Sequence, residues 1–230
     1  MPWIHKKRLR EVNEKFFDTW SPEMSYVLGL WFADGNIYHS KSNSYVWSIT
    51  SKDIDILNRI RDLMGSSHKI TLCTSKSSGN FVISSKNLYD AMRRFGGCER
   101  KSYSKIEFPD IKEQFLPDFV RGYIDGDGCI YAPGNRPPQV NILGSEPFLT
   151  GMMGYTGLPT YFSKRSGTKT EIFDLKYHAE SAQNLLSILY HDDCICMSSK
   201  LENVAKAMNW KRKRKRIRIR KFDFNARITK

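Results

Sequence analysis

The chain has 230 residues, enough for one large core or for two compact units of about 100 residues each. Its 37 Lys and Arg residues exceed its 24 Asp and Glu residues and give a formal net charge of +13, which favours nucleic acid as a partner first and an anionic membrane surface second. No apolar run is long enough to span a bilayer, and the N-terminus lacks the apolar core of a secretory signal, so we expect an intracellular protein that does not cross a membrane.

The cysteines exclude two further classes of protein. There are five, an odd number with no CxxC pair, which argues against a disulfide framework and against a zinc ribbon. Cys194 and Cys196 lie near His191 in the sequence, but a closed zinc site needs a second cluster of ligands at matching spacing, and the chain has none. We therefore expect reduced thiols.

Residues 1–20 form a basic N-terminal segment, and an apolar helix is predicted directly after it. The stretch from Tyr26 to Gly35 reads YVLGLWFADG. Pro22 suits the first turn of this helix, because proline lacks only an N–H group that would be unpaired there anyway. Gly35 is predicted to end the helix in the left-handed conformation, which glycine adopts readily. Asp34 is then the last residue of the helix.

The rest of the first half alternates between strand and helix patterns. Its extended stretches are rich in Tyr, Val, Trp and Ile, and its helical patterns place apolar residues on one face. The predicted elements are strands 36–41 and 44–50, a helix that begins at Asp53 and ends at Gly65, strands 69–75 and 79–84, and a helix from Asn87 to Phe95.

A linker and a second, similar run of elements follow. Residues 96–115, with a Gly-Gly pair, a proline and several lysines, indicate the linker. The stretch from Phe119 to Gly128 then reads FVRGYIDGDG and is predicted to be a second apolar helix. The elements predicted after it are strands 129–132 and 138–143, a helix from Ser145, a hairpin over 159–175 with its tip at Ser166 and Gly167, and a helix from Ala179 to Tyr190.

The two apolar segments are copies of one pattern. Aligning Gly29 with Gly122 also aligns Asp34 with Asp127, at a spacing close to the expected size of one unit. Both halves read αββαββα, which predicts an α+β fold of two pseudo-symmetric units. The predicted division of the chain is a basic segment at 1–20, units at 21–108 and 109–205, and a C-terminal arm at 206–230 that is richest in lysine and arginine over 211–220.

Each apolar segment has the composition of a buried helix that packs against a twin. Gly29 and Ala33 are four residues apart, as are Gly122 and Gly126, so each helix offers one face without bulky side chains. The aspartate that ends each helix has the wrong sign for the helix dipole, and two such carboxylates would repel each other. Divalent cations bound by carboxylate and phosphate oxygens would compensate them, and such ions also supply what phosphodiester hydrolysis needs.

The two segments resemble the paired LAGLIDADG motifs of single-chain homing endonucleases, because Asp34 and Asp127 each stand directly before a glycine at the end of the motif. The first motif departs from the family sequence at hydrophobic positions, where Trp31 and Phe32 replace smaller or acidic residues. The resemblance covers nearly the whole chain. It implies two units that each contain a four-stranded antiparallel, saddle-shaped sheet with helices on one face, joined at the paired helices.

The resemblance also implies a metal site. Its residues would be Asp34, Gly35, Asp127 and Gly128, at the ends of the two motif helices. Two or three magnesium ions would bind there, and manganese would substitute for magnesium.

Two lysines complete the catalytic set that the resemblance implies, together with the two aspartates. Lys101 and Lys200 match the positions from which family lysines act on the scissile phosphate or on solvent, one in each half. Ser51 and Gly144 fall where family members often carry a polar side chain that orders water. Because glycine has no side chain, the two halves are expected to cut their strands at unequal rates.

By the same resemblance, the four hairpins would lie along the major groove of duplex DNA. The sequence does not determine which of the two alternating sets of residues in each strand would face the DNA. Polar residues of this kind are also typical of a solvated sheet face. The candidate DNA contacts are His39, Lys41, Asn43, Tyr45, Trp47, Lys69, Thr71, Lys76, Asn80, Arg136, Gln139, Asn141, Lys164, Arg165 and Lys169. From the C-terminal arm, Lys211, Arg212 and Arg214 are expected to contact phosphates.

The interpretation that the resemblance favours is a monomeric, metal-dependent endonuclease of intron homing that cuts both strands of a long pseudo-palindromic duplex and leaves 3′ overhangs. The alternative is a protein of the same fold that binds without cutting, either an RNA maturase with its own intron RNA as partner or a DNA-binding regulator. A basic RNA-binding scaffold is a third interpretation. The paired aspartates favour the nuclease, and no pattern in the chain indicates the target sequence or the host gene.

Overall fold

The computed structural model describes residues 10–73, 77–101, 104–168 and 170–212. Within them the chain forms two similar units, each built from a four-stranded antiparallel sheet and helices. The predicted α+β fold class is therefore confirmed. In this described part of the chain no helix is long and apolar enough to cross a lipid bilayer.

The first unit follows the predicted order of elements, and its strands lie in the order β1-β2-β4-β3. The side chains of Ser21, Asp53 and Ser85 cap its three helices by accepting hydrogen bonds from backbone N–H groups of the first turn. The elements are α1 (Pro22–Asp34), β1 (Gly35–His39), β2 (Tyr45–Ser51), α2 (Ile54–Leu63), β3 (Thr71–Cys73), β4 (Ser78–Ser84) and α3 (Lys86–Arg94).

The second unit repeats this plan with the strand order β5-β6-β8-β7. A short 3-10 helix, Glu113–Phe115, leads into its first helix. The elements are α4 (Leu116–Asp127), β5 (Gly128–Tyr131), β6 (Gln139–Gly144), α5 (Glu146–Thr156), β7 (Tyr161–Lys164), β8 (Phe173–His178), α6 (Glu180–Leu189) and α7 (Ser198–Met208).

The last helix, α7, was not predicted, and it runs across the boundary expected at residue 205. Val204 and Ala207 on this helix are buried, and the side-chain amide of Gln183 in α6 donates to the carbonyl oxygen of Ala207 at 2.9 Å. The helix therefore belongs to the second unit. The apolar pattern of this helix is short and stands directly before a strongly basic run, so in the sequence the helix could not be distinguished from the C-terminal arm.

The N-terminal residues that the structure describes are packed onto the protein. Phe17 is buried, and the backbone N–H of Asn13 donates to the carbonyl of Met64 at 2.8 Å. The ring of Trp20 stacks on Phe115 with centroids 5.8 Å apart. Residues 10–20 thus bind to the first unit and to the chain leading into α4.

Each sheet has one face covered by helices and one face left open by the described helices. In the first sheet Trp47 and Ile49 of β2 and Phe81 of β4 lie in the core, whereas Thr50 and Val82 on the alternate positions are exposed. The second sheet has the same alternation. The uncovered faces are the surfaces available to a large partner.

Candidate active site and nucleic-acid interface

Helices α1 and α4 touch through their backbones at the glycines that the sequence singled out. A Cβ atom added to Gly29 would lie 1.9 Å from the carbonyl oxygen of Phe119, and one added to Gly122 would lie 2.1 Å from the carbonyl oxygen of Tyr26. Both distances are far below van der Waals contact, and both neighbours are backbone atoms. The close approach therefore requires glycine on each helix.

This approach brings the two helix ends, and with them the two predicted carboxylates, together. A Cβ on Gly126 would lie 2.4 Å from the Cβ of Ala33 and 3.1 Å from Oδ2 of Asp34, so the Asp34 carboxylate lies beside the residue that precedes Asp127. The pKa of Asp34 is raised to about 6, first by burial and then by the charge of Asp127. Burial also raises the pKa of Asp127.

The glycines after the two aspartates do not adopt the left-handed conformation that was predicted for them. Gly35 and Gly128 have φ angles of −85° and −96° in the extended region, not in the left-handed region. They are required because a Cβ on Gly35 would lie 2.2 Å from the ring of Trp31, and one on Gly128 would lie 2.5 Å from the carbonyl oxygen of Ile124. Close packing at the helix end, and not a left-handed cap, explains the Asp-Gly pairs.

Lys101 lies at the end of α1, next to the two carboxylates. Its Nζ donates to the carbonyl oxygens of Trp31 and Phe32, both at 2.6 Å, and of Ala33 at 2.9 Å. Burial lowers the pKa of Lys101 to about 8, while the charges of Asp127 and Asp34 oppose that change. Lys101 therefore holds the last carbonyls of α1 and supplies positive charge where the helix dipole and the carboxylates are both negative.

Lys200 lies in the first turn of α7 and makes a similar contact at the end of α4. Its Nζ donates to the carbonyl oxygen of Gly128 at 2.5 Å. The charges of Lys200 and Lys101 each lower the pKa of both aspartates. The structure thus brings the four predicted catalytic residues into one cluster, although both ammonium groups are bound to backbone carbonyls.

A cavity of about 280 Å³ opens beside this cluster, and one of its lining residues was missed by the sequence analysis. Tyr123 lines it together with Lys101, Asp127 and Gly144. Its hydroxyl donates to the carbonyl oxygen of Leu143 at 2.8 Å, and burial, followed by the charges of the two aspartates, raises its pKa well above the usual value. Within an apolar motif, a tyrosine gives no signal that separates it from core residues.

The donor set fits a hard divalent cation only when a substrate supplies further oxygens. No group of three or more His, Cys, Asp or Glu side chains that could hold a metal ion exists among the described residues, which also leaves Cys194 and Cys196 without a metal site. Two carboxylates that are buried and repel each other match magnesium, which is commonly held by one or two carboxylates with phosphate and water oxygens. The residues present therefore fit the ion in complex with a phosphodiester.

A second buried polar cluster, also missed from the sequence, fixes the position of Lys200. The carboxylate of Asp125 accepts hydrogen bonds from the hydroxyls of Tyr26 and Tyr190, at 2.7 and 2.6 Å, and from the backbone N–H of Met197 at 2.7 Å. Met197 is the residue from which α7 begins. These bonds connect α1, α4, α6 and the start of the helix that carries Lys200.

Two candidate DNA contacts in β2, Tyr45 and Trp47, lie on the helix-covered side of the sheet. Trp47 is 0% exposed and packs against Phe17 and Phe81 in the core, so it cannot contact a partner. His39 and Tyr45 share its side of the strands: their rings stack on each other, and Tyr45 packs against Tyr89 of α3. Aromatic residues that read as surface contacts in the sequence belong to the helix-covered face.

The uncovered faces consist of other residues, some of them not predicted. Four of the candidate contacts lie on the uncovered faces: Thr71, Asn80, Gln139 and Asn141. The same faces also carry residues that were not among the candidates: Asn36, Tyr38, Ser48 and Thr50 in the first sheet, and Tyr131, Tyr161, Asp174 and Lys176 in the second.

Most predicted basic contacts lie in exposed loops beside the sheets. Lys164 and Arg212 are paired with Glu171 and Glu180. Other exposed predicted contacts are Lys41, Asn43, Lys69, Arg136, Arg165 and Lys211. Lys76, Lys169 and Arg214 lie outside the described residues.

Sequence comparison with known proteins does not assign the chain to a family. No protein-family model matches the sequence. A relative, an uncharacterized protein of Methanocaldococcus jannaschii, is 28% identical over 221 residues, which are 90% of this chain and 74% of that protein.

Solved structures of similar fold include three homing endonucleases. I-DmoI in complex with DNA and calcium matches with a TM-score of 0.54 and 15% identity, over 84% of this chain and 97% of that one. I-LtrWI bound to its target DNA matches with a TM-score of 0.55 and 11% identity, over 84% and 88%. I-SmaMI bound to uncleavable DNA matches with a TM-score of 0.56 and 12% identity, over 81% and 88%. The chain therefore has the fold of the LAGLIDADG homing endonucleases, in the form in which one chain supplies both units.

Proposed function

We propose that this protein is a site-specific endonuclease that hydrolyses both strands of a long pseudo-palindromic DNA duplex, depends on a divalent metal ion and leaves 3′ overhangs. The observation that carries the proposal is the convergence of Asp34 and Asp127 at the ends of two closely packed helices. Each comes from one of two similar units, so one chain supplies a carboxylate for each strand. The protein acts as a monomer.

The chemistry follows from the positions of the four charged side chains. Asp34 and Asp127 would hold the cation against phosphate oxygens, and that ion, magnesium or manganese, supplies a polarised phosphoryl oxygen, an activated water and a stabilised leaving oxygen. Lys101 and Lys200 balance the two carboxylates and hold the carbonyls at the helix ends. Burial and the charge of Asp127 raise the pKa of Asp34, and a cation held by both carboxylates would offset these two effects.

Duplex DNA is the partner that the shape and charge support. The net charge of +13 attracts a polyanion. Each unit presents a four-stranded sheet face that its helices leave uncovered, and two-stranded ribbons fit the major groove. I-DmoI and I-LtrWI, of the same fold, are bound to DNA in their structures.

The proposal is tested by selection from a randomised duplex library, with magnesium for cleavage and with calcium for binding. The unchanged protein should cut in magnesium and bind the same sites in calcium. Asp34→Asn and Asp127→Asn should each abolish double-strand cleavage and leave calcium-supported binding within about threefold, because the change removes a charge at the metal site and no sheet contact. Undiminished cutting by both variants would overturn the mechanism.

One observation favours a second candidate, a protein that binds DNA or its own intron RNA without cutting. All three N–H donors of the Lys101 ammonium are directed at carbonyl oxygens, which leaves none for a phosphate in this conformation. The same selection distinguishes the candidates. Selective binding in calcium without cleavage in magnesium or manganese would establish the binding protein, and a preference for intron RNA over duplex DNA would identify a maturase.

A further inference from the structure

Two rows of side chains occupy equivalent places on the uncovered faces of the two sheets. In the first sheet Thr50 pairs with Asn80, and Asn80 pairs with Thr71, across β2, β4 and β3. In the second sheet Leu143 pairs with Asp174, and Asp174 pairs with Ser163.

The two rows correspond because the residues that follow them correspond. Thr50 precedes Ser51, which pairs with Gly79, and Leu143 precedes Gly144, which pairs with Phe173. The aligned motifs that lead into these strands place Ser51 and Gly144 at matching positions. Asn80 and Asp174 are therefore equivalent positions in the two halves.

Asn80 offers hydrogen-bond donors to a partner above the sheet. Its Oδ1 accepts a hydrogen bond from the hydroxyl of Thr50 at 3.2 Å. This bond orients the amide, and no residue in the described ranges accepts from its nitrogen. The amide N–H groups are left for an acceptor supplied from outside.

Asp174 offers only acceptors. In its row Leu143 takes the place of Thr50, so the neighbouring side chain on β6 has no hydrogen-bond donor. Asp174 is half-buried, and its carboxylate forms no hydrogen bond or ion pair with a side chain of the described residues. A carboxylate left unpaired on a surface that meets a polyanion lowers affinity unless the partner supplies a donor.

We propose that Asn80 and Asp174 give the two half-sites different base preferences: Asn80 selects against cytosine, which presents no acceptor in the major groove, and Asp174 selects cytosine or adenine, which present an amino donor there. In the major groove, guanine presents the acceptors O6 and N7, thymine presents O4, and adenine presents N7 beside its amino group. The inference deepens the proposed function and rests on it. The target is therefore asymmetric at this pair of positions, although the protein fold is pseudo-symmetric.

The test is binding selection on randomised duplexes in calcium, so that cleavage is not required. The unchanged protein should disfavour cytosine at one position and should disfavour guanine and thymine at the symmetric position. Asp174→Asn should weaken the discrimination against guanine and thymine by about tenfold or more, because an amide can donate as well as accept, and Asn80→Asp should create that discrimination in the other half. Each change should leave the opposite half-site unaltered.

Two matched controls make the same chemical changes away from the sheet faces. Asp55→Asn on α2 and Asn184→Asp on α6 alter exposed helix residues, so they should shift overall affinity with the change in charge but no base preference. Thermal unfolding confirms that the variants are folded. Selective duplex binding with base profiles that Asp174→Asn and Asn80→Asp leave unchanged overturns the inference alone. Absence of selective duplex binding by the unchanged protein overturns the inference and the proposed function together.

Discussion

Asp34 occupies a position in which its ionised form is disfavoured by burial, by the charge of Asp127 and by the dipole of the helix that it ends. The two lysines offset these effects only in part, since the pKa remains raised to about 6. Such an arrangement lowers stability, and proteins retain it where function needs it. The two carboxylates are therefore expected to lower the free energy of unfolding, and this effect can be measured separately from cleavage.

Asp34→Asn should raise the stability of the metal-free protein at pH 7.5 while it abolishes cleavage. Because the folded-state pKa lies above the unfolded value, ionised Asp34 destabilises the fold above pH 6, and this effect disappears as the pH falls towards 4. After allowance for partial exposure, the expected gain in the free energy of unfolding is about 1 kcal/mol at pH 7.5. Urea unfolding at both pH values measures it.

The control for this prediction is Asp55→Asn, which removes the same charge from an exposed helix position. It should change stability by less than about 0.5 kcal/mol at either pH. A loss of stability in Asp34→Asn at pH 7.5, or a gain that persists at pH 4, would contradict the assigned cause of the raised pKa.

The two lysines should differ in their importance for stability. Lys101→Met leaves the carbonyls of Trp31, Phe32 and Ala33 without their lysine donor, and we expect it to lower the free energy of unfolding by about 2–3 kcal/mol. Lys200→Met removes a single such bond, to Gly128, and should cost about 1 kcal/mol. Chemical denaturation of the two variants checks the order, and equal losses would show that the carbonyl contacts of Lys101 are not formed in solution.

At the scale of elements, the pairing of α1 with α4 organises the molecule. It holds the two units together and brings Asp34 and Asp127 to one place. The contact needs no side chain at Gly29 or Gly122, where the opposing backbone occupies the space of a Cβ. Small residues allow such an approach, which a larger residue prevents by steric overlap with atoms that cannot rotate away. Separation of the helices would also separate the two carboxylates.

Gly122→Ala should therefore disrupt the fold or lower its stability by more than about 3 kcal/mol, because its Cβ would meet the Tyr26 carbonyl oxygen at 2.1 Å. Gly154→Ala in α5 is the matched control, since nothing lies within 4 Å of a Cβ there. Alanine has the higher helix propensity, so the control should gain about 0.5–1 kcal/mol. Thermal unfolding compares the pair, and a Gly122→Ala protein as stable as the parent would exclude this helix contact.

The order of elements could be predicted from the sequence because each rests on a local pattern. Capping residues such as Ser21 and Asp53 mark helix starts, and the repeated motif identifies the two halves. Features that depend on tertiary packing could not be predicted. Trp47 faces the core because of the register of β2, and Tyr123 comes near Asp34 only after α1 and α4 have paired.

At the scale of the whole molecule, charged side chains and neutral polar side chains are separated in the first unit. On the uncovered face of the first sheet, the described positions of all four strands are neutral, with Ser48, Thr50 and Asn80 among them. The positive charge lies in loops such as those of Lys41 and Lys69. Loops would then contact phosphates and strands would contact bases, which separates affinity from specificity. The second sheet departs from this pattern at Asp174 and Lys176.

The pseudo-symmetry is also broken at the candidate active site, so the proposed nuclease should cut the two DNA strands at different rates. Lys101 holds three carbonyls and Lys200 one, and Gly144 stands in place of Ser51. A difference of about 1.4 kcal/mol in activation free energy makes one strand about tenfold faster. A supercoiled plasmid carrying one site should accumulate a nicked intermediate, and labelling each strand should identify the faster one. Reversing the site in the plasmid is the control, because the faster strand should follow the orientation of the site. Equal cleavage of both strands, with no nicked intermediate, would mean that these differences do not reach the reaction.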